Sequence, residues 1–145
     1  AASGKSKPPR NLVALESLPT AADFTPSGVL ALSAEELVET VAASMDLLKQ
    51  CQDFGLIPAA VQRFNQEHAA ILSSVVALGQ YGIEPRHLKA FRTAADREAG
   101  LIDQVVTPLK KSRDPEAAGR AEDVARDVAA LSVALHVALV RSLMQ

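Results

Sequence analysis

Three histidines and one cysteine are the side chains of this sequence with the most chemistry to offer. His68, His87 and His136 have no Cys or carboxylate partner at a ligand spacing such as i, i+4, so no metal centre is expected; a helix-capping or packed histidine is the ordinary alternative. Cys51 stands alone, which excludes an internal disulfide framework and a cysteine-rich zinc site; it reads as a small core residue and suits a reducing, cytoplasmic setting. The sequence has no Gly-x-Ser-x-Gly elbow, phosphate-cradling glycine loop or dinucleotide fingerprint. We therefore expect no catalytic residue, no cofactor and no enzyme.

The sharper constellation lies on one helix. His87 and Glu98 project at the edge of, and within, the sector that also holds Phe91, Ala95 and Ile102, and polar groups on a packing face demand partners. They either pair with groups elsewhere in the core or line a cavity for a ligand between this helix and the last one. Tyr81 and Arg92 contribute to the rim in the second case, so Tyr81, His87, Phe91, Arg92, Glu98 and Ile102 form a candidate ligand or partner pocket. With four Phe, one Tyr and no Trp, a broad aromatic pocket and base stacking are both disfavoured. Arg86, Lys89 and Arg97 lie outside the apolar sector; such a cluster is usually a solvated face, and otherwise would receive an acidic partner.

These residues need helices to hold them. Residues 1–29 mix Ser, Gly and Pro with apolar residues in no sustained period, which reads as a flexible linker. Ser33 with Glu36 forms a capping-box pattern opening a first helix to about residue 43. Ser44 caps a second over residues 45–54, and Gly55 supplies a left-handed stop. Residues 61–64 are extended in pattern. Asn65 caps a third helix from Gln66 to about Tyr81, ended by Gly82. Glu84 and Pro85 open a long fourth helix reaching the neighbourhood of Pro108, with Leu88, Phe91, Ala95, Ile102, Val105 and Leu109 expected to pack along one stripe. Asp114 and Pro115 start the last helix, which runs to Gln145. The fold class is mainly α: a lobe over residues 30–84 whose first two helices are a helix-turn-helix candidate, then a long-helix region over residues 85–145, the two making one compact domain over residues 30–145; the family resemblance given below implies that the lobe is a degenerate winged helix-turn-helix-like one.

The last helix carries the strongest pattern. Residues 129–140 are apolar around nearly the whole circumference, and a helix of that kind needs cover on all sides. The other helices cover one or two faces, so a second copy is the economical cover for the rest. Val124, Val128, Leu131, Leu135 and Ala138 repeat at a 3.5-residue spacing, with Leu139 alongside, and together they are the expected homodimer interface. The run is interrupted by Ser132 and His136 and ends at Arg141, too short for a bilayer, so no membrane is expected.

The apolar share of 48% can fill one core, and a formal charge of −2 from 15 basic and 17 acidic residues lacks the excess expected of a free-standing nucleic-acid binder. The opening residues, with no Met and no signal-peptide core, suggest a segment cut from a longer protein.

The order of elements over residues 32–91 resembles the MerR winged helix-turn-helix, and the phrase LGQYGI at residues 78–83 looks like that family's ending of its third helix. The run YGIEPRHLKAFRTAADRE, residues 81–98, is similar to the C-terminal domain of actinobacterial MerR regulators of the cell-division (FtsR) type. The similarity continues through Pro108, Leu109, Arg120, Ala121, residues 129–131, Leu135, His136 and Leu139. The resemblance implies a transcription regulator with an N-terminal DNA-binding domain absent from this chain. Promoter DNA would be read by that missing domain, while this one serves dimerisation and binds a small-molecule or protein effector. It also implies that the lobe here is a second, degenerate winged helix. Its only candidates for weak nucleic-acid contact are Lys49, set against Asp46 and Asp53, and Arg63, and residues 58–60 lack the glycine of a usual hairpin wing. Direct DNA contact by this lobe is the alternative function.

Overall fold

The computed structural model describes residues 19–24 and 31–145. Apart from residues 19–24, the expected linker lies outside the described residues. The described chain is mainly helical, as expected: α1 (Ala34–Thr40), α2 (Met45–Asp53), α3 (Gln66–Gly79), α4 (Lys89–Lys110) and α5 (Pro115–Leu143), with 3-10 turns at Ala21–Phe24 and Pro85–Leu88. Among the described residues, chain packing separates two compact units, one over residues 31–97 and one made of residues 19–24 and 98–145.

In the first unit, α1, α2 and α3 each start on a side-chain cap. The Ser33 hydroxyl accepts from the Glu36 N–H at 3.1 Å while the Glu36 carboxylate accepts from the Ser33 N–H at 2.9 Å. Ser44 accepts from Leu47 N–H at 3.0 Å, and Asn65 Oδ1 from His68 N–H at 2.9 Å. Each helix also ends in the same way. The sixth-to-first bonds Ala43 N–H to Val38 O at 2.8 Å, Leu56 N–H to Cys51 O at 2.8 Å and Ile83 N–H to Leu78 O at 3.2 Å close Schellman turns. Those turns need a left-handed residue, supplied by Ala42 (φ 57°), Gly55 (φ 77°) and Gly82 (φ 82°).

Leu37, Leu48, Cys51, Ile57, Phe64 and Leu72 are buried in one cluster, joined by Val75 and Leu88. The expected extended segment meets Leu32 in an isolated antiparallel bridge: Leu32 N–H donates to Phe64 O at 2.9 Å and Phe64 N–H to Leu32 O at 2.8 Å. Among the described residues no strand forms beyond that bridge.

In the second unit, Asp114 Oδ1 accepts from Glu116 N–H at 3.0 Å to cap α5, and Pro115 occupies the first turn where its missing donor costs nothing. Ala121 and Ala129 are buried, and the 3-10 turn Ala21–Phe24 packs against this helix. α4 contains Pro108 in its last turn, where the missing N–H removes one bond to the preceding turn, and ends two residues later at Lys110.

Candidate interaction surfaces

The apolar stripe expected to pack along α4 is only partly covered. Leu88, in the turn before α4, and Val106 are each buried within their own unit. Ile102 and Leu109 are half-buried, but Phe91 is 63% exposed, Val105 47% and Ala95 is exposed too. The expectation of a fully packed stripe is corrected accordingly: periodicity identifies an apolar face, and only the tertiary neighbours decide how much of it is covered.

Part of that face borders a groove. Leu56, Ile71, Leu78, Phe91, Ala95 and neighbouring residues on α3 and α4 line a concavity of about 380 Å³. Arg92 stands on its wall, its Nη1 donating to the Gly55 carbonyl at 2.5 Å and its Nε to Asp96 Oδ1 at 3.0 Å. The guanidinium thus ties the start of α4 to the carbonyl-rich end of α2, and the two bonds use two of its five N–H donors.

Of the six residues expected to form a pocket, the groove brings together Phe91 and Arg92. Tyr81 is 84% exposed and lies outside its lining. His87 is exposed, and its Nδ1 accepts from the Glu84 N–H at 2.9 Å, so its polar group has a local partner. His68 takes the same role at α3, with Nδ1 accepting from Asn65 N–H at 3.1 Å and its ring meeting Phe64 edge to face at 5.8 Å. Glu98 and Ile102 are half-buried and belong to the second unit. His136 is exposed on α5, and no group of three or more His, Cys, Asp or Glu side chains suited to a metal ion occurs among the described residues.

The six α5 residues expected at a dimer interface divide by depth. Val124 and Val128 are half-buried, whereas Leu131, Leu135 and Leu139 are 70%, 61% and 54% exposed and Ala138 is exposed. At about 100° per residue this seam is centred about 100° round the helix from Ala121 and Ala129, the side that is covered. Leu143 and Met144 extend the apolar surface beyond it, 84% and 80% exposed. No described helix is long and apolar enough to cross a membrane.

Lys49 and Arg63, the candidate nucleic-acid contacts, sit among acids. Arg63 Nη1 lies 4.0 Å from Glu36 Oε1, and Lys49 shares a concave surface with Glu35 and Asp46. The Glu36 carboxyl is held below the ordinary range first by the Ser33 backbone N–H, then by the Ser33 hydroxyl, with Arg63 adding to the effect against a small desolvation. Burial pushes the Cys51 thiol up to about 11. Neither residue combines a shifted titration with a partner arranged for acid, base or nucleophilic work.

The described residues form helices with partly exposed apolar faces. Residues 30–145 match the Rv1828-like C-terminal domain, and the chain belongs to that family. Two relatives are the uncharacterized HTH-type transcriptional regulators Rv1828 of Mycobacterium tuberculosis and Mb1859 of Mycobacterium bovis, each 46% identical over 112 residues, or 77% of this chain. The matched stretch spans 45% of each relative's length. Transcriptional regulation, the role in both relatives' names, is not an enzymatic activity.

Proposed function

We propose that this chain is the dimerisation and effector- or partner-binding C-terminal module of a MerR-type regulator of the FtsR cell-division kind. Its promoter DNA would be read by a separate N-terminal domain in the full-length protein. The observation that carries the dimer reading is the seam of Leu131, Leu135 and Leu139, three leucines at i, i+4, i+8 that stand exposed on α5. Contiguous apolar surface of this kind marks an association site, and the alternating four- and three-residue steps of Val124, Val128, Leu131, Leu135 and Ala138, which include two of these leucines, suit a second copy of the same helix. A regulator that reads two half-sites also needs a two-fold partner. The effector reading rests on the α3–α4 groove, whose lining is almost wholly apolar.

The alternative is DNA contact by the lobe over residues 30–84, whose element order resembles a winged helix. The acidic setting of Lys49 and Arg63 argues against it, since affinity for phosphate comes from releasing counterions to several cations at once.

Sedimentation equilibrium of the chain tests the main reading. A dimer at tens of micromolar is expected; a monomer at that concentration with the α5 leucines still open to solvent overturns it. In gel shift on its own promoter, the chain alone is expected to bind no better than about 10⁻⁴ M at physiological salt. A salt-sensitive submicromolar complex would favour the alternative.

A further inference from the structure

Within the first unit, the surface at the start of α1 and along α2 has a character that neither dimerisation nor DNA reading uses. A concavity of about 740 Å³ opens there, floored by Ala34, Leu48, Val61 and Phe64. Met45 stands in it 48% exposed, a flexible apolar side chain of the kind that adapts to an incoming partner. Glu35 and Asp46 rim the same concavity. Over residues 33–64 the acids Glu35, Glu36, Glu39, Asp46 and Asp53 face only Lys49 and Arg63, and Arg63 is already near Glu36. An apolar floor inside an acidic rim repels phosphate and matches a segment that is both cationic and apolar.

We propose that this groove, formed by α1, α2 and residues 61–64, docks a cationic amphipathic segment of a partner protein, with apolar anchors beside Met45 and Lys or Arg side chains against Glu35 and Asp46. Lys49 sets a limit on register, because a partner cation must pass to the Glu35 and Asp46 side of it. The proposal stands apart from the dimer reading, which concerns α5 in the other unit.

The test uses the intact, ¹⁵N-labelled chain and a synthetic helical peptide of about 12 Lys and Leu residues, the leucines at i, i+3, i+4 and i+7. Saturable shifts in residues 33–35, 45–52 and 61–64 are expected, weakened at least tenfold by Glu35→Lys with Asp46→Lys, and again by raised salt. Met45→Ser, an exposed change that leaves the fold intact, should weaken binding severalfold and separates lost contact from lost folding. Peptides with Glu for Lys or Ser for Leu should not bind. The proposal fails if no saturable binding occurs up to about 1 mM peptide. It fails equally if the shifts map to the α5 leucines or the α3–α4 groove, if the Ser-for-Leu peptide binds as well, or if a labelled DNA duplex shifts the same residues.

Discussion

Ala42 ends α1 with φ 57°, a left-handed conformation that its Cβ disfavours. The equivalent positions after α2 and α3 are Gly55 and Gly82, so the alanine is the costly member of an otherwise repeated turn. Ala42→Gly is expected to stabilise the chain by about 0.5–1 kcal/mol, read as a higher urea midpoint with unchanged m. A lower midpoint would mean that the unfolded-state entropy of glycine outweighs the relieved strain. Cys51 gives a second residue-scale outcome. Its thiol, pushed up to about 11 from 9.0 by burial, stays neutral in the fold while the unfolded chain's thiol ionises. The sign follows: this contribution to stability is intact below pH 9 and lost as pH rises from 9 towards 11. At pH 8 the thiol should resist a disulfide reagent until denaturant is added; prompt labelling of the folded chain would contradict its burial.

Among the elements, the helix starts are legible as chemistry. Ser33→Ala should cost about 1 kcal/mol by removing one half of the α1 capping box. The Glu36 half is electrostatic, and because its carboxyl is held down in the fold, the stabilisation is present above the unfolded carboxylate pKa and fades as pH falls through the lower folded value. At α3 and at the Pro85–Leu88 turn a histidine occupies the third position instead of Glu or Gln. A backbone N–H can only donate, so Nδ1 must accept and the proton of the neutral ring sits on Nε2. Long-range ¹H–¹⁵N spectra should find His68 and His87 as Nε2–H tautomers, and an Nδ1–H tautomer at either would remove that cap.

For the whole molecule, the decisive quantity is how much apolar surface association removes from water. If α5 seams of two copies face each other, Leu135→Glu places a carboxylate in each half of the contact without a counter-ion, costing on the order of a few kcal/mol. Because Leu135 is 61% exposed in the single chain, the variant should remain folded by circular dichroism and sediment as a monomer. An unchanged dimer would move the interface away from this seam.

What could be read without coordinates was local. Caps at Ser33, Ser44, Asn65 and Asp114, the stops at Gly55 and Gly82, and the five helices follow from interactions within a few residues, and the sequence by itself specified them. The apolar faces of α4 and α5 were legible too, being a matter of period. The tertiary structure decided which of those faces are covered: Leu88, Val106, Ala121 and Ala129 turn inward, while Phe91, Leu131 and Leu135 do not. It also found His87 a backbone partner one turn away, where hydrophobic patterning had pointed towards a core or a ligand. Ala42 escaped reading because left-handed geometry normally announces itself as glycine. The acidic groove escaped because Glu35, Asp46 and Val61 come together only when α1, α2 and the extended segment fold onto one core. Burial and juxtaposition depend on contacts between residues distant in the chain, and those are properties of the packed molecule rather than of any stretch of sequence.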